Sequence, residues 1–434
     1  MKLKYLLVLF LLPALLISSC KRDDDRIFET NATVRMTEAV QNAYTVLQAN
    51  KAGWMMNYYP SKNQEFGGYT IFTKFISNAK VSIASDPIKG IETSSYIINP
   101  ESGPVLSFDG FNKSIHWFSE PGMDNGGIGP DDSGMQGDFE FIVLKATADS
   151  VVLKGKKSGS HLVMLPLKGT EFENLSASYQ EAANKFKQFD IFNLVTADGK
   201  SVKIGYDPKV RVFSNPDDPT AKDMSFRVVP GGLEFYEEYT IGKTAFDRVS
   251  FIEPTGAYPN GYYTDKGNTF KIVPIAPTLN QWFKSKVWFM SYKNVGSFGQ
   301  KYWDNAKTKL NTNKISLNSI SLGDRSVEVF YYVLQNGAVV GAIGHDIGLV
   351  DDTNDQVKIS LEGSVYGVRG DFGTNFLTYW SGGLNEFTRP LNGRTFKITA
   401  DQMIKPEVVL LTDISDATNT FKVFLKDIND PLNN

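Results

Sequence analysis

The chain has a single cysteine, Cys20, among 434 residues. No disulfide can form within it, so its stability has to come from apolar burial. Histidine is nearly as scarce: His116, His161 and His345 are the only three, and no two stand at the spacing of a helical zinc site. Net charge is small, −3 overall and about −5 once Lys2 and Lys4 leave with a leader. That excludes the basic footprint of a nucleic-acid partner. Beyond Ile17 no apolar run approaches the roughly 20 residues of a membrane span.

What the sequence does have begins at its start. Lys2 and Lys4 precede the uncharged run Tyr5–Ile17, which is too short to cross a bilayer, and Ile17-Ser18-Ser19-Cys20 follows. An aliphatic residue, two small residues and a cysteine form a lipoprotein signal, in which the thiol carries the lipid. Residues 1–19 therefore read as a signal peptide with Cys20 as the lipid attachment site, and residues 20–30 as an acidic tether. Asp23, Asp24 and Asp25 resemble the export tag of Bacteroidota-type surface lipoproteins. The expected location is the outer membrane, held by the lipid anchor and facing the exterior.

Hydrophobic content of 41% and charged content of 21% are those of a folded globular protein. Met36, Val40, Ala43, Tyr44 and Leu47 recur every three or four residues, predicting a helix over Asn31–Gly53 with Asn31 or Thr33 as its cap. From Trp54 to Leu167 the period falls to two, with about eight short strands between Gly, Pro, Asn and Asp turns. One of these is predicted over Ser114–Phe118, with His116 on one face. Phe172, Leu175, Tyr179, Ala182, Ala183 and Phe186 predict a bridging helix over 171–188, and strands resume to the C-terminus. The expected fold is mainly β: two antiparallel β units, each a lipocalin-like barrel or a sandwich, with an N-terminal and a bridging helix. Residues 31–170 form the first β domain and 189–434 the second β-rich region in this reading. A faint echo links them: Phe139 precedes Val151-Val152-Leu153 as Phe396 precedes Val408-Val409-Leu410.

Several blocks resemble one family. Gly103-Pro104-Val105-Leu106-Ser107-Phe108-Asp109 with Trp117-Phe118 and Pro121, Gly137-Asp138-Phe139-Glu140-Phe141, Leu153-Lys154-Gly155-Lys156-Lys157 and Gly232-Leu233-Glu234-Phe235-Tyr236-Glu237 are similar to the domain-of-unknown-function family numbered 4302. The resemblance extends over most of the chain after the leader. It implies a surface-type lipoprotein of Bacteroidota that accompanies nutrient-uptake receptors. It brings no established activity and no site residues.

Catalytic patterns are absent. Gly242-Lys243-Thr244 ends like a phosphate loop, but Glu237 stands where the earlier glycine is required. No serine sits in a Gly-x-Ser-x-Gly elbow. Asp124, Asp131, Asp132 and Asp138 crowd one loop and Asp351, Asp352 and Asp355 another, leaving calcium as the one cofactor to consider. In Trp54-Met55-Met56-Asn57-Tyr58-Tyr59-Pro60, alternation puts Trp54, Met56 and Tyr58 on one face and Met55, Asn57 and Tyr59 on the other. One face suits a core and the other a stacking platform for a sugar ring. Trp54, Tyr59 and Trp380 are the candidate ligand-binding residues. The expected function is a ligand-binding accessory to nutrient (glycan) uptake, with an outer-membrane receptor pair as partner. An extracellular hydrolase with a hidden acidic site and a structural or adhesive surface protein are the alternatives.

The anchor reading makes a direct prediction: Cys20→Ala moves the protein from the membrane fraction to the soluble one. Retention of that variant in washed membranes would contradict it.

Overall fold

The computed structural model describes residues 31–214, 220, 222–324, 328–334, 340–367 and 380–434. The leader, Cys20 and the tether lie outside the described residues. The chain is mainly β with antiparallel sheets and several helices. It divides into two units: residues 1–185 with 205–251, and residues 186–204 with 252–434.

The first unit opens with helix α1 (Ala32–Ala49), capped where Asn31 Oδ1 accepts the Val34 N–H at 2.8 Å. Its stripe buries Ala43 and Leu47. Nine strands follow: β1 (Trp54–Tyr58), β2 (Tyr69–Phe75), β3 (Lys80–Ser85), β4 (Ile88–Ser95), β5 (Ile97–Pro100), β6 (Pro104–Ser107), β7 (Glu140–Ala146), β8 (Val151–Gly155) and β9 (His161–Pro166). Their order is β4-β3-β2-β1-β9-β8-β7-β6-β5. Every consecutive pair is therefore bonded except β4 and β5, and β1 joins β9, giving a meander wrapped into a half-barrel that is open at one seam. Helix α1 packs against β5, β6 and β7 beside that seam. Tyr44 accepts the Ile98 N–H at 2.8 Å there, and its ring meets Tyr96 at 5.9 Å.

The predicted strand over Ser114–Phe118 is instead a helical turn, α2 (Lys113–His116). Asn112 caps it by accepting the Ser114 N–H at 3.0 Å, and Ile115 and Phe118, three apart, are the buried pair. Local capping overrode the two-residue period. Helix α3 (Glu171–Phe186) lies on the outside of the first sheet, where Phe172 packs with Phe72, Ala84 and Leu167. Gln180 donates from that helix to the carbonyls of Ser85 and Gly90.

Past α3, β10 (Ile191–Thr196) and β11 (Ser201–Ile204) belong to the second unit. The chain then returns to the first unit with β12 (Val212–Phe213), β13 (Met224–Val229), β14 (Gly232–Ile241) and β15 (Thr244–Ile252). The division is thus not the single cut near Gln188 that the sequence suggests. Two arginines explain the return. Arg211 reaches Asp86 Oδ2 at 2.5 Å and the Gly68 carbonyl at 3.1 Å, and lies over the Tyr69 ring at 4.4 Å. Arg227 donates to Thr70 Oγ1 at 2.6 Å and pairs with Glu234. Both are buried charges with partners on or beside β2, Arg227 having Glu234 as well, so β12 and β13 are drawn onto it.

The second unit carries β16 (Tyr262–Thr264), β17 (Phe270–Ile275) and helix α4 (Leu279–Lys284), then a closed barrel of eight strands. These are β18 (Val287–Phe289), β19 (Leu317–Asp324), β20 (Glu328–Leu334), β21 (Val340–Leu349), β22 (Gln356–Gly367), β23 (Arg394–Thr399), β24 (Val408–Asp413) and β25 (Asp416–Phe424). Helix α5 (Ser297–Thr312) packs against β25 and buries Trp303. The first and last strands meet at Phe289 and Phe424. Eight strands leave an interior just wide enough for side chains, and Trp288, Phe330, Tyr332, Ile343, Phe396 and Phe421 fill it.

The two meanders share a device. Trp54 Nε1 donates to the Leu47 carbonyl, and Trp288 Nε1 to the Phe283 carbonyl, each at 2.9 Å. In both, a fully buried tryptophan at the start of the first strand satisfies the end of the preceding helix.

His345 lies within the barrel wall, fully buried, with Nδ1 3.1 Å from the Ile343 carbonyl. Burial holds its imidazole below the ordinary 6.5. The unfolded chain therefore takes the proton first, so this contribution is complete above about pH 6.5 and is lost as pH falls toward the lower folded value. Thermal melts are expected to fall between about pH 7.5 and about pH 5 by at most about 1.4 kcal/mol per pH unit from this group. His345→Phe should flatten that slope, and an equal slope in both proteins would contradict it. At the seam on β2, Asp86→Ala or Arg211→Ala alone should cost roughly 3–5 kcal/mol in urea unfolding, because each strands a buried charge. Asp86→Leu with Arg211→Met should cost far less. A double variant as unstable as the two single losses combined would show that the pairing is not what joins these strands.

Candidate ligand cleft

The first unit carries an open cleft of about 490 Å³ on the outer side of its sheet. This is within the size range of small-molecule sites. One wall is the outward face of β1 and β9, with Asn57, Tyr59, His161, Val163 and Leu165. The other is the β14–β15 hairpin, with Glu234, Tyr236, Asp247 and Arg248, and Arg227 of β13 lies between them. Strand alternation assigns the first wall: Trp54, Met56 and Tyr58 are buried, whereas Asn57 is exposed and Tyr59 half-buried.

A break in the hairpin builds the second wall. Glu234 stands opposite Arg248 and Tyr239 opposite Phe246, so the four residues Phe235–Glu238 face Asp247 alone. A bulge of this kind re-aims side chains. Tyr236 is 46% exposed here, and its ring meets Tyr59 edge-on at 4.7 Å. Lys222 lies 5.4 Å from the Tyr236 ring and pairs with Glu237 at 2.8 Å. Gly68 lets Arg227 and Tyr59 lie close together, since a Cβ there would run into the Arg227 side chain and the Tyr59 ring. Burial pushes the Tyr59 phenol up to about 12, with Arg227 beside it opposing. It therefore remains a neutral hydroxyl.

Charge is held tightly within the cleft. Glu234 receives Arg227 on one oxygen and Arg248 on the other. Arg227 is buried and Arg248 largely exposed. The Glu234–Arg248 pair follows directly from their opposed positions in the hairpin.

Of the three ligand-binding candidates, Tyr59 lies in this cleft. Trp54 does not: it is fully buried with its indole N–H spent on Leu47, so it offers no face to a ligand. The side chain of Trp380 lies outside the described residues. Arg227, Glu234, Tyr236 and Arg248 were not singled out as site residues from the sequence. Only the Gly232–Glu237 block, which contains Glu234 and Tyr236, pointed near them, and nothing in it marked the bulge. The acid clusters considered for calcium are dispersed. Asp138 is buried and accepts from the backbone of Lys157 and Ser158, fixing their turn, while Asp124, Asp131 and Asp132 are exposed. Asp355 faces Lys397 at 3.7 Å. Among the described residues no group of three or more His, Cys, Asp or Glu side chains is placed to hold a metal ion.

No curated protein and no solved structure matches the chain. A family model described as a domain of unknown function, DUF4302, matches residues 24–253. That span contains every block quoted above and all residues of the cleft, and ends close to the Phe251 limit of the first unit. It is narrower than the resemblance suggested, because the closed barrel lies beyond it. Covering about half of the chain, the match shows that this protein belongs to the DUF4302 family.

Proposed function

We propose that this is a lipid-anchored, outward-facing outer-membrane protein of Bacteroidota type that captures a glycan as an accessory to nutrient uptake. The observation that carries the binding reading is the exposed Tyr236 ring, set by the bulge against Tyr59 and beside the Arg227–Glu234–Arg248 cluster. Sugar rings stack on aromatic faces while their hydroxyls bond to fixed polar groups, and both elements line one open cleft. The address rests on Ile17–Cys20 and the aspartates after it. An outer-membrane uptake receptor pair is the partner such an accessory would serve. The hydrolase alternative draws less support, because both oxygens of Glu234 are engaged by arginines and it is not free for proton transfer. The adhesive alternative draws on one surface feature: His116 stacks on Phe139 at 4.8 Å and meets Phe111 at a tilt at 5.4 Å, and both phenylalanines are exposed.

The test is calorimetric titration of the Cys20→Ala protein against a panel of polysaccharides. Tyr236→Ala should weaken binding about five- to tenfold, the loss of roughly 1 kcal/mol from one stacked ring. Its melting temperature should hardly move, since the ring is half exposed. Absence of binding across the panel, or full affinity in Tyr236→Ala, would defeat the glycan reading.

A further inference from the structure

The cleft contains four charged side chains that cancel. Arg227 and Arg248 face Glu234 and Asp247. The cancellation is local, because Glu234 lies between the two guanidinium groups and takes one on each oxygen. Arg227 is further committed, donating to Thr70 Oγ1 at 2.6 Å from a buried position.

We infer that the cleft selects uncharged saccharides over acidic ones, and that Glu234 sets this preference; the inference rests on the glycan reading above. An acidic sugar binds best to a free guanidinium, through two parallel hydrogen bonds. Arg227 is buried and committed to Thr70 and Glu234. The outward N–H groups of Arg248 are within reach, but Glu234 already offsets that charge, and an acidic group seated there would lie against the Glu234 carboxylate. Asp247 is exposed on the facing strand and adds to that repulsion. A neutral polyol meets no such repulsion. Its hydroxyls can donate to the outer lone pairs of Glu234 and to Asp247, and accept from Arg248 and Asn57. Its apolar ring faces can lie on Tyr236, Val163 and Leu165, the last two 42% and 46% exposed on the opposite wall.

The experiment compares neutral oligosaccharides with uronate and sulfated oligosaccharides of equal length, titrated into the Cys20→Ala protein. Neutral ligands should bind at least about tenfold more tightly, and their affinity should change less than about twofold between about 50 and about 500 mM NaCl. Acidic ligands that bind equally well or better, with affinity falling as salt rises, would overturn the inference while leaving the glycan reading intact. If no saccharide of either kind binds, both fall. Two variants read the assignment itself. Glu234→Gln frees the arginines and should narrow the neutral-over-acidic ratio by about tenfold. It also unpairs a buried charge, so Asp247→Asn at an exposed position serves as the second variant, shifting the ratio the same way by about two- to fivefold. An unchanged ratio in folded Glu234→Gln or in Asp247→Asn overturns the role given to these carboxylates.

Discussion

Arg211 and Arg227 cannot be buried without partners, and meeting that need gives the first unit its shape. An isolated ion is costly to remove from water, so each guanidinium has to be delivered to its acceptors. Those acceptors are Asp86, the Gly68 carbonyl, Thr70 and Glu234. Gly67 and Gly68 make the approach feasible. Gly67 has φ +74, and a Cβ on it would collide with the Arg211 backbone. Around them the chains are stitched by Gly68 N–H to the Phe226 carbonyl at 3.0 Å and by Ser225 Oγ to the Gln64 carbonyl at 2.7 Å. The segment 205–251 consequently belongs with the first sheet although β10 and β11 intervene in sequence. Without that return there would be no second wall and no cleft.

Both meanders are filled. Tryptophan at the start of each first strand and aromatic layers above it leave their interiors to side chains. The open cleft lies on the outside of the first unit, between a sheet face that alternation already made half polar and a hairpin whose register breaks. The cleft has few parts: Gly68 lets Arg227 and Tyr59 lie close, Glu234 is held by two arginines, and four residues crowded opposite one turn Tyr236 outward. The family match covers this region and stops before the barrel, which places the cleft in the part of the chain that the family defines.

Much of the β architecture was legible because its signals are local. The Asn31 cap, the 3.6-residue stripe through Ala43 and Leu47, and the two-residue periods of β1 and β9 each operate within a few residues. The alternation in Trp54–Tyr59 even separated the core face from the cleft face. It erred in offering Trp54 as a platform, because exposure depends on what covers a face and not on which face it is. The strand expected at Ser114–Phe118 failed for a different reason: Asn112 offers a helical cap that a hydrophobic period does not register.

The sequence by itself determined the β class, the opening helix and the absence of any disulfide framework, since each follows from residue type, at short spacing or by count. Only the tertiary structure decided where the units divide, which face of β1 is covered, and that Tyr59 meets Tyr236. Those facts depend on Arg211 finding Asp86 and Arg227 finding Thr70, partners more than a hundred residues apart. Nothing local in the chain records that Asp86 will neutralise Arg211, because that choice is made by the desolvation of both groups at once in the folded state.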